Sequence, residues 1–294
     1  MRSLVGIALA MGMLAAMPPR ANASLIYGIT FDNNLFSFDS SAPTNILSGV
    51  YVSGLQPNEF IQAIDFRPST NVLYALGSTN RIYTLNLTTG AATAVGAPFA
   101  PVLSGTAFGM DFDPVTDLIR VHSDTQQNLR ISPVTGAVTN TDPGLFYAAG
   151  DPGAGQDPSI VATAYAGNTP GAQSTTLFSL DSVRDVLVRH QAPPGLAEMV
   201  TVAALSNAVG GGSINLGNYT GFDIDPAGVA HIAWNNANSL YGTLNLSNGQ
   251  VSNITTIGGG LFVRDIAAVI PEPATLVPAG LAVIGLVARR RGRQ

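Results

Sequence analysis

Between Ala63 and Gly96 the chain reads Ile64-Asp65-Phe66-Arg67-Pro68, Val72-Leu73-Tyr74-Ala75-Leu76, Ile82-Tyr83-Thr84-Leu85-Asn86, a Thr88-Thr89-Gly90 turn and a short run ending at Val95-Gly96. Each run is rich in β-branched and aromatic residues, and Pro, Asn, Ser and Gly separate them. That pattern predicts four consecutive strands joined by tight turns. The third strand has counterparts in Leu35-Phe36-Ser37-Phe38-Asp39, Leu129-Arg130-Ile131-Ser132, Leu177-Phe178-Ser179-Leu180-Asp181 and Leu240-Tyr241-Gly242-Thr243-Leu244-Asn245. Counted with Ile82, their first residues step by 47, 47, 48 and 63 positions. A four-stranded unit at this period predicts an all-β chain folded as a β-propeller.

Working outward, Leu25 to Phe31, the Leu35 strand and Ile46 to Val52 supply three strands, one short of a blade. A third unit starts at Met110-Asp111-Phe112-Asp113-Pro114, and a fifth at Phe222-Asp223-Ile224-Asp225-Pro226. The fourth is the least regular. Its first strand is expected near Leu145 to Ala148, and Gln191 to Leu216 reads as a Gly- and Pro-rich insertion that explains the longer last step. One strand is left over, Val263 to Val269, with Asp265-Ile266 standing where Asp65-Phe66 stands. The economical arrangement has it complete the first blade, giving five blades in a ring without exposed sheet edges.

Composition narrows the function. There is no lysine, and all 13 basic residues are arginine. Between Ser24 and Ile270, 17 acidic residues face 7 arginines, so this body repels phosphate backbones and nucleic acid is not an expected partner. Cysteine is absent, which excludes a disulfide framework and thiolate metal sites. Stability must come from core burial, which a body of this size can supply.

The two ends read as targeting segments flanking a 24–270 body. Residues 1–23 form a secretory signal: Arg2, an apolar stretch from Leu4 to Ala16, and Ala21-Asn22-Ala23 as the small-x-small site for signal peptidase. The apolar stretch is short for a membrane span of about 20 residues, and Pro18-Pro19 follows it. At the other end, residues 271–294 open with Pro271-Glu272-Pro273, continue through an apolar run from Ala274 to Ala288, and close on Arg289-Arg290-Arg291-Gly292-Arg293. An apolar run before a basic cluster is a stop-transfer pattern. As a helix at ~1.5 Å per residue, that run reaches across only a thin bilayer.

The triplet, apolar run and terminal arginines, in that order, resemble the PEP-CTERM sorting signal of Gram-negative bacteria. The resemblance implies that an exosortase cuts near the triplet and releases or re-anchors the protein at the cell surface or in the extracellular matrix. Contact with the membrane would then run through the C-terminal segment alone, before processing. The body, through Asp65-Phe66-Arg67-Pro68, Asn80-Arg81-Ile82-Tyr83, Arg120-Val121-His122-Ser123-Asp124 and Gln127-Asn128-Leu129-Arg130, resembles an exported bacterial domain of unknown function (DUF4394-like). That family implies no catalytic residue and no cofactor.

Asp65, Asp111, Asp223 and Asp265 hold one position in four units and are expected on innermost strands. The simpler reading has each accept backbone N–H bonds from a neighbouring strand or turn, stitching blades together. The alternative has them ring the central channel and hold a hard cation such as calcium. Asp113 and Asp225, each before Pro, are expected to start turns. The Asp151-Pro152-Gly153-Ala154-Gly155-Gln156-Asp157 loop lacks EF-hand spacing. His122, His190 and His231 form no spaced ligand pair, and Trp234 is expected in the core. No nucleophile elbow, phosphate loop or dinucleotide fingerprint occurs. These features favour a non-enzymatic module that binds an extracellular polysaccharide or a surface protein. The competing reading is a metal-dependent, lactonase-like propeller hydrolase built on the aspartate set.

Overall fold

The computed structural model describes residues 23–191 and 195–271. Among them every regular element is a strand. The first three are β1 (Leu25–Thr30), β2 (Asn34–Asp39) and β3 (Ile46–Tyr51). The next blade is β4 (Ile61–Arg67), β5 (Val72–Gly77), β6 (Arg81–Leu85) and β7 (Ala92–Val95). The third is β8 (Phe108–Asp113), β9 (Leu118–Ser123), β10 (Asn128–Ile131) and β11 (Val138–Thr141). A two-residue strand, β12 (Phe146–Tyr147), precedes the fourth blade of β13 (Ile160–Ala166), β14 (Thr176–Asp181), β15 (Val186–Gln191) and β16 (Glu198–Ala204). Another, β17 (Ser206–Asn207), precedes the fifth blade of β18 (Thr220–Ile224), β19 (Ala230–Asn235), β20 (Ser239–Leu244) and β21 (Gln250–Thr256). Last comes β22 (Val263–Ala268).

β22 pairs antiparallel with β1, Ile26 opposite Ala268 and Gly28 opposite Ile266, so the end of the chain supplies the innermost strand of the first blade. The five innermost strands, β22, β4, β8, β13 and β18, touch in sequence and close a ring. The five-bladed propeller expected from the repeat is therefore the observed architecture.

Outer edges are covered from the preceding connection. β12 adds in parallel to β16 and β17 to β21, while Ser53 bridges Ala91 beside β7. These pairings occupy backbone groups that an open edge would present to other chains. The outer hairpins use glycine for a steric reason. Gly90 and Gly136 have φ of 71° and 69°, and a Cβ built on them would lie 2.3 Å and 1.9 Å from the Tyr51 and Val95 carbonyl oxygens of the preceding blade. Only glycine permits that turn at that approach.

The fourth blade corrects the sequence reading. Its innermost strand is β13, residues 160–166, and not a strand near Leu145–Ala148, where only the short edge strand β12 lies. The Leu177 strand is second in its blade, the third being β15, and the outermost strand β16 lies inside the stretch read as an insertion. The reason is local. β13 carries Thr163-Ala164-Tyr165, without the aspartate that marks the other innermost strands, and Leu177-Phe178-Ser179-Leu180-Asp181 imitates the third-strand pattern.

Four of the five seams between blades are filled by apolar side chains. Ile29, Ile64, Phe66 and Ala267 join the first and second blades. Ala63, Tyr74, Met110 and Phe112 join the second and third. Ala164, Phe178, Phe222 and Trp234 join the fourth and fifth, and Ala233, Tyr241, Ile26 and Phe38 join the fifth and first. Trp234 is thus a core residue. The seam between the third and fourth blades is built differently.

Candidate functional site

The repeated aspartates stand where the sequence places them, at the propeller axis on β4, β8, β18 and β22. Three of them work as stitches. Asp65 accepts from its own neighbour Phe66 N–H at 2.7 Å and, across the seam, from Phe112 N–H at 2.7 Å. Asp265 accepts from Ile266 N–H at 2.9 Å and from Ile64 N–H in the second blade at 2.8 Å. Asp223 accepts from Ile224 N–H and Ala268 N–H, both at 2.6 Å. Each carboxylate thereby ties one innermost strand to the next blade in the same rotational sense.

Asp111 breaks the series. It is 1% exposed, and its Oδ1 has no hydrogen-bond partner. The blade it faces is the fourth, where Ala164 replaces the aspartate and Tyr165 occupies the following position. One oxygen each from Asp65, Asp111 and Asp223 lie within 4.8 Å of one another. Burial, first of all, raises the proton affinity of all four carboxyls, and neighbouring carboxylates add to it for Asp65 and Asp111. Asp223 is pushed up to about 6, its Ala268 N–H bond offsetting part of the burial cost. Such a cluster stores protons or holds a cation; isolated from both, it is expensive to keep ionised.

Beside Asp111, the seam between the third and fourth blades is polar. The Arg120 guanidinium, on a residue 3% exposed, donates to Tyr165 Oη at 2.9 Å, Asn128 Oδ1 at 2.7 Å, Asp142 Oδ2 at 3.0 Å and the Gly195 carbonyl at 3.0 Å. Asp142 is shared with Arg130. The rings of His122 and His190 stack with centroids 4.8 Å apart. His190 Nε2 lies 2.8 Å from Ser179 Oγ and its Nδ1 2.6 Å from the Leu196 carbonyl, while Thr163 Oγ1 bridges Ser179 and His122 Nδ1. Burial depresses both imidazoles, His190 to about 3. A neutral His against a Ser hydroxyl has the outline of a nucleophile and its base, but Ser179 is 0% exposed and sealed from substrate. Over this seam a cleft of about 580 Å³ opens, lined among others by Asp113, Thr116, Gln173, Thr175, Arg189 and Gln191.

Sequence reasoning missed this seam. His122 and His190 are far apart in the chain, and no spacing rule joins them. The turn aspartates behave as read: Asp113 accepts from Val115 and Thr116 N–H, and Asp225 from Val229 N–H. Asp151 is taken up by Gly153 N–H and Thr201. Of the processing positions, Ala23 and Pro271 are described and sit beside β1 and β22; Ala21, Glu272 and Pro273 lie outside the described residues.

The model of a domain of unknown function, DUF4394, matches residues 34–267. The chain belongs to the DUF4394 family. No curated protein matches it. Among solved structures, the DUF4394 domain is similar to a protein of unknown function from Bacteroides caccae, at 8% identity and TM-score 0.40 over 84% of this chain and 98% of that one. It is also similar to a chain of a nidogen/laminin complex, at 12% identity and TM-score 0.47, over 86% and 100% of the two chains. A Bacteroides thetaiotaomicron protein of unknown function gives 13% and 0.46, over 84% of this chain and 65% of that one.

Proposed function

We propose that this DUF4394 domain is the folded body of an exported protein, displayed at the cell surface or held in the extracellular matrix, and that it serves as a non-enzymatic binding or structural module. The observation that carries this reading is where the two expected processing points fall. Ala23 precedes β1, Pro271 follows β22, and those strands pair with each other. Ala23 and Pro271 line one cleft together with Asp225 and Val269. Removal of both flanking segments therefore costs the ring no strand, and any C-terminal anchor leaves the propeller from the point where its N-terminus begins.

Binding is favoured over hydrolysis by access. A lactonase-like mechanism needs a cation and substrate to meet at the channel mouth, whereas Asp65, Asp111, Asp223 and Asp265 are at most 7% exposed. The cleft over the polar seam instead offers amide, hydroxyl and guanidinium groups, which suit the hydroxyls of an extracellular polysaccharide.

Surface material from the producing cells tests the export reading. Its N-terminal residue is expected to be Ser24, and its intact mass is expected to lack residues 274–294. Protein that begins at Met1 or retains Arg289 to Arg293 would overturn it. Cosedimentation with the cells' own polysaccharide tests the ligand: Arg189→Ala with Gln173→Ala is expected to weaken retention, and unchanged retention would remove the cleft from the reading.

A further inference from the structure

The axial carboxylates have a consequence beyond stitching. Asp65, Asp223 and Asp265 have each oxygen engaged by a backbone N–H, six bonds in all. Asp111 has a solvent-inaccessible Oδ1 with no donor. Buried polar atoms are nearly always satisfied, so an orphan carboxylate oxygen calls for a partner of positive character. It belongs to the residue that completes a three-blade cluster whose oxygens lie within 4.8 Å of one another.

The positive side chains nearby are committed elsewhere. The Arg264 guanidinium lies over the rings of Phe31, Phe60 and Tyr219, 4.4 to 5.0 Å from their centroids, and donates to Gln62. Arg120 is consumed by the seam network. The inner strands are also drawn unusually close around the cluster. A Cβ at Gly109 would stand 2.5 Å from Thr163 N, and one at Gly221 would stand 2.6 Å from Ile266 N. Glycine at these two places lets β8 and β18 pack against the next blade, so the carboxylates converge instead of lining an open bore.

We propose that Asp65, Asp111 and Asp223 hold a divalent, oxygen-seeking cation of the calcium class on the propeller axis, where it ties three blades together. Calcium takes oxygen ligands at about 2.3–2.6 Å, so oxygens up to roughly 5 Å apart can share one ion, whereas magnesium at about 2.0–2.1 Å requires a tighter set. An N–H bond leaves a carboxylate oxygen a further lone pair, so Asp65 and Asp223 can bind the ion and keep their stitches. The site is structural, since its ligands are buried, and it leaves the binding reading above unchanged.

Elemental analysis of the full chain, purified without chelator, is the first test, with about one calcium per chain expected. Stripping with EDTA and titrating calcium chloride is the second. A saturable rise in Tm is expected, with magnesium chloride giving a smaller one. Asp111→Asn keeps the side-chain volume and is expected to lower the apparent calcium affinity by at least the roughly 10-fold that losing even an outer partner costs a metal site. Circular dichroism confirms that this variant folds. Metal-free native protein whose Tm no calcium concentration moves would overturn the proposal, as would a calcium shift that Asp111→Asn retains in full. A larger rise with magnesium than with calcium would overturn the choice of ion.

Discussion

The third blade is flanked by two seams of opposite construction. Against the second blade it presents Met110, Phe112 and Ile119, and Tyr74 meets the Phe112 ring edge-on at 5.1 Å between centroids. The Asp65 stitch lies beneath them. Against the fourth blade it presents Arg120 and His122, and the axial stitch is incomplete, because Asp111 Oδ1 finds no donor. An apolar seam asks mainly for area and shape, and its packed side chains carry no carboxyl or imidazole of their own. A polar seam works only when every partner is present, and it fixes charge and orientation beneath a cleft. The contrast sets one sector of an otherwise repetitive ring apart from the rest.

The largest expected effect asks whether the seams act together at all. Deleting Phe262 to Val269 removes β22, which carries Asp265 and receives the Asp223 stitch at Ala268. Two seams open at once, and the whole body is expected to lose its single cooperative melting transition. A truncation that melts as one unit near the native temperature would show that the ring does not depend on that closure.

Next comes the polar seam itself. Arg120→Met keeps much of the apolar stem but leaves Tyr165 Oη and Asn128 Oδ1 without their donor, while the Gly195 carbonyl retains Asn128 Nδ2 and Asp142 retains Arg130. Breaking a buried, fully bonded charge costs about 3–5 kcal/mol, and the surviving Arg130 bridge places this case at the lower end. Urea unfolding measures it. A loss below about 1 kcal/mol would make the network incidental. The volume-conserving Met110→Leu in the apolar seam should cost less than about 1.5 kcal/mol, which is the asymmetry between the seams expressed as energy.

Much of this was legible in the sequence because it repeats. Ile64-Asp65-Phe66, Met110-Asp111-Phe112, Phe222-Asp223-Ile224 and Arg264-Asp265-Ile266 mark innermost strands by an aspartate between bulky residues, and the orphan strand at Val263 is enough to infer closure. The fourth blade was misread where the marker fails, at Thr163-Ala164-Tyr165. The polar seam was illegible for the same reason. Its members come from β9, β10, β13, β14 and β15 at positions that recur in no other blade, so no period carries them, and a His in isolation looks like any other core residue. Repetition reveals what the blades share, and the polar seam lies in what one of them does not share.

Asp65→Ala sharpens the stitch side of the comparison. It strands the N–H groups of Phe66 and Phe112, at about 1–3 kcal/mol for a buried group left unpaired. Asp65→Asn retains an acceptor oxygen and should recover part of that loss. If both variants cost the same, the stitch bonds are not what Asp65 contributes to stability.

The smallest effect is a slope. Burial holds His190 at about 3, the Arg120 charge adding to it and the Leu196 carbonyl opposing it. His122, stacked on it, is depressed as well. As pH falls below about 6.5 the unfolded chain takes up protons that the folded seam refuses, so stability present above that pH is lost on the way to about 3. Each such imidazole contributes up to roughly 1.4 kcal/mol per pH unit. The axial carboxyls run the other way. Their folded proton affinities are raised, so the metal-free fold loses stability as pH climbs from the ordinary carboxyl value through theirs, which for Asp223 is about 6. His190→Gln can still meet both Ser179 and the Leu196 carbonyl but cannot titrate. Between pH 6.5 and 4.5 its stability is expected to fall less steeply than the native protein's, by at most that slope, in urea titrations across the range. Met110→Leu, in the apolar seam, should shift the curve without tilting it. Parallel curves for His190→Gln and native protein would mean that the histidine pair does not set the seam's response to acid, and the two seams would then differ in packing alone.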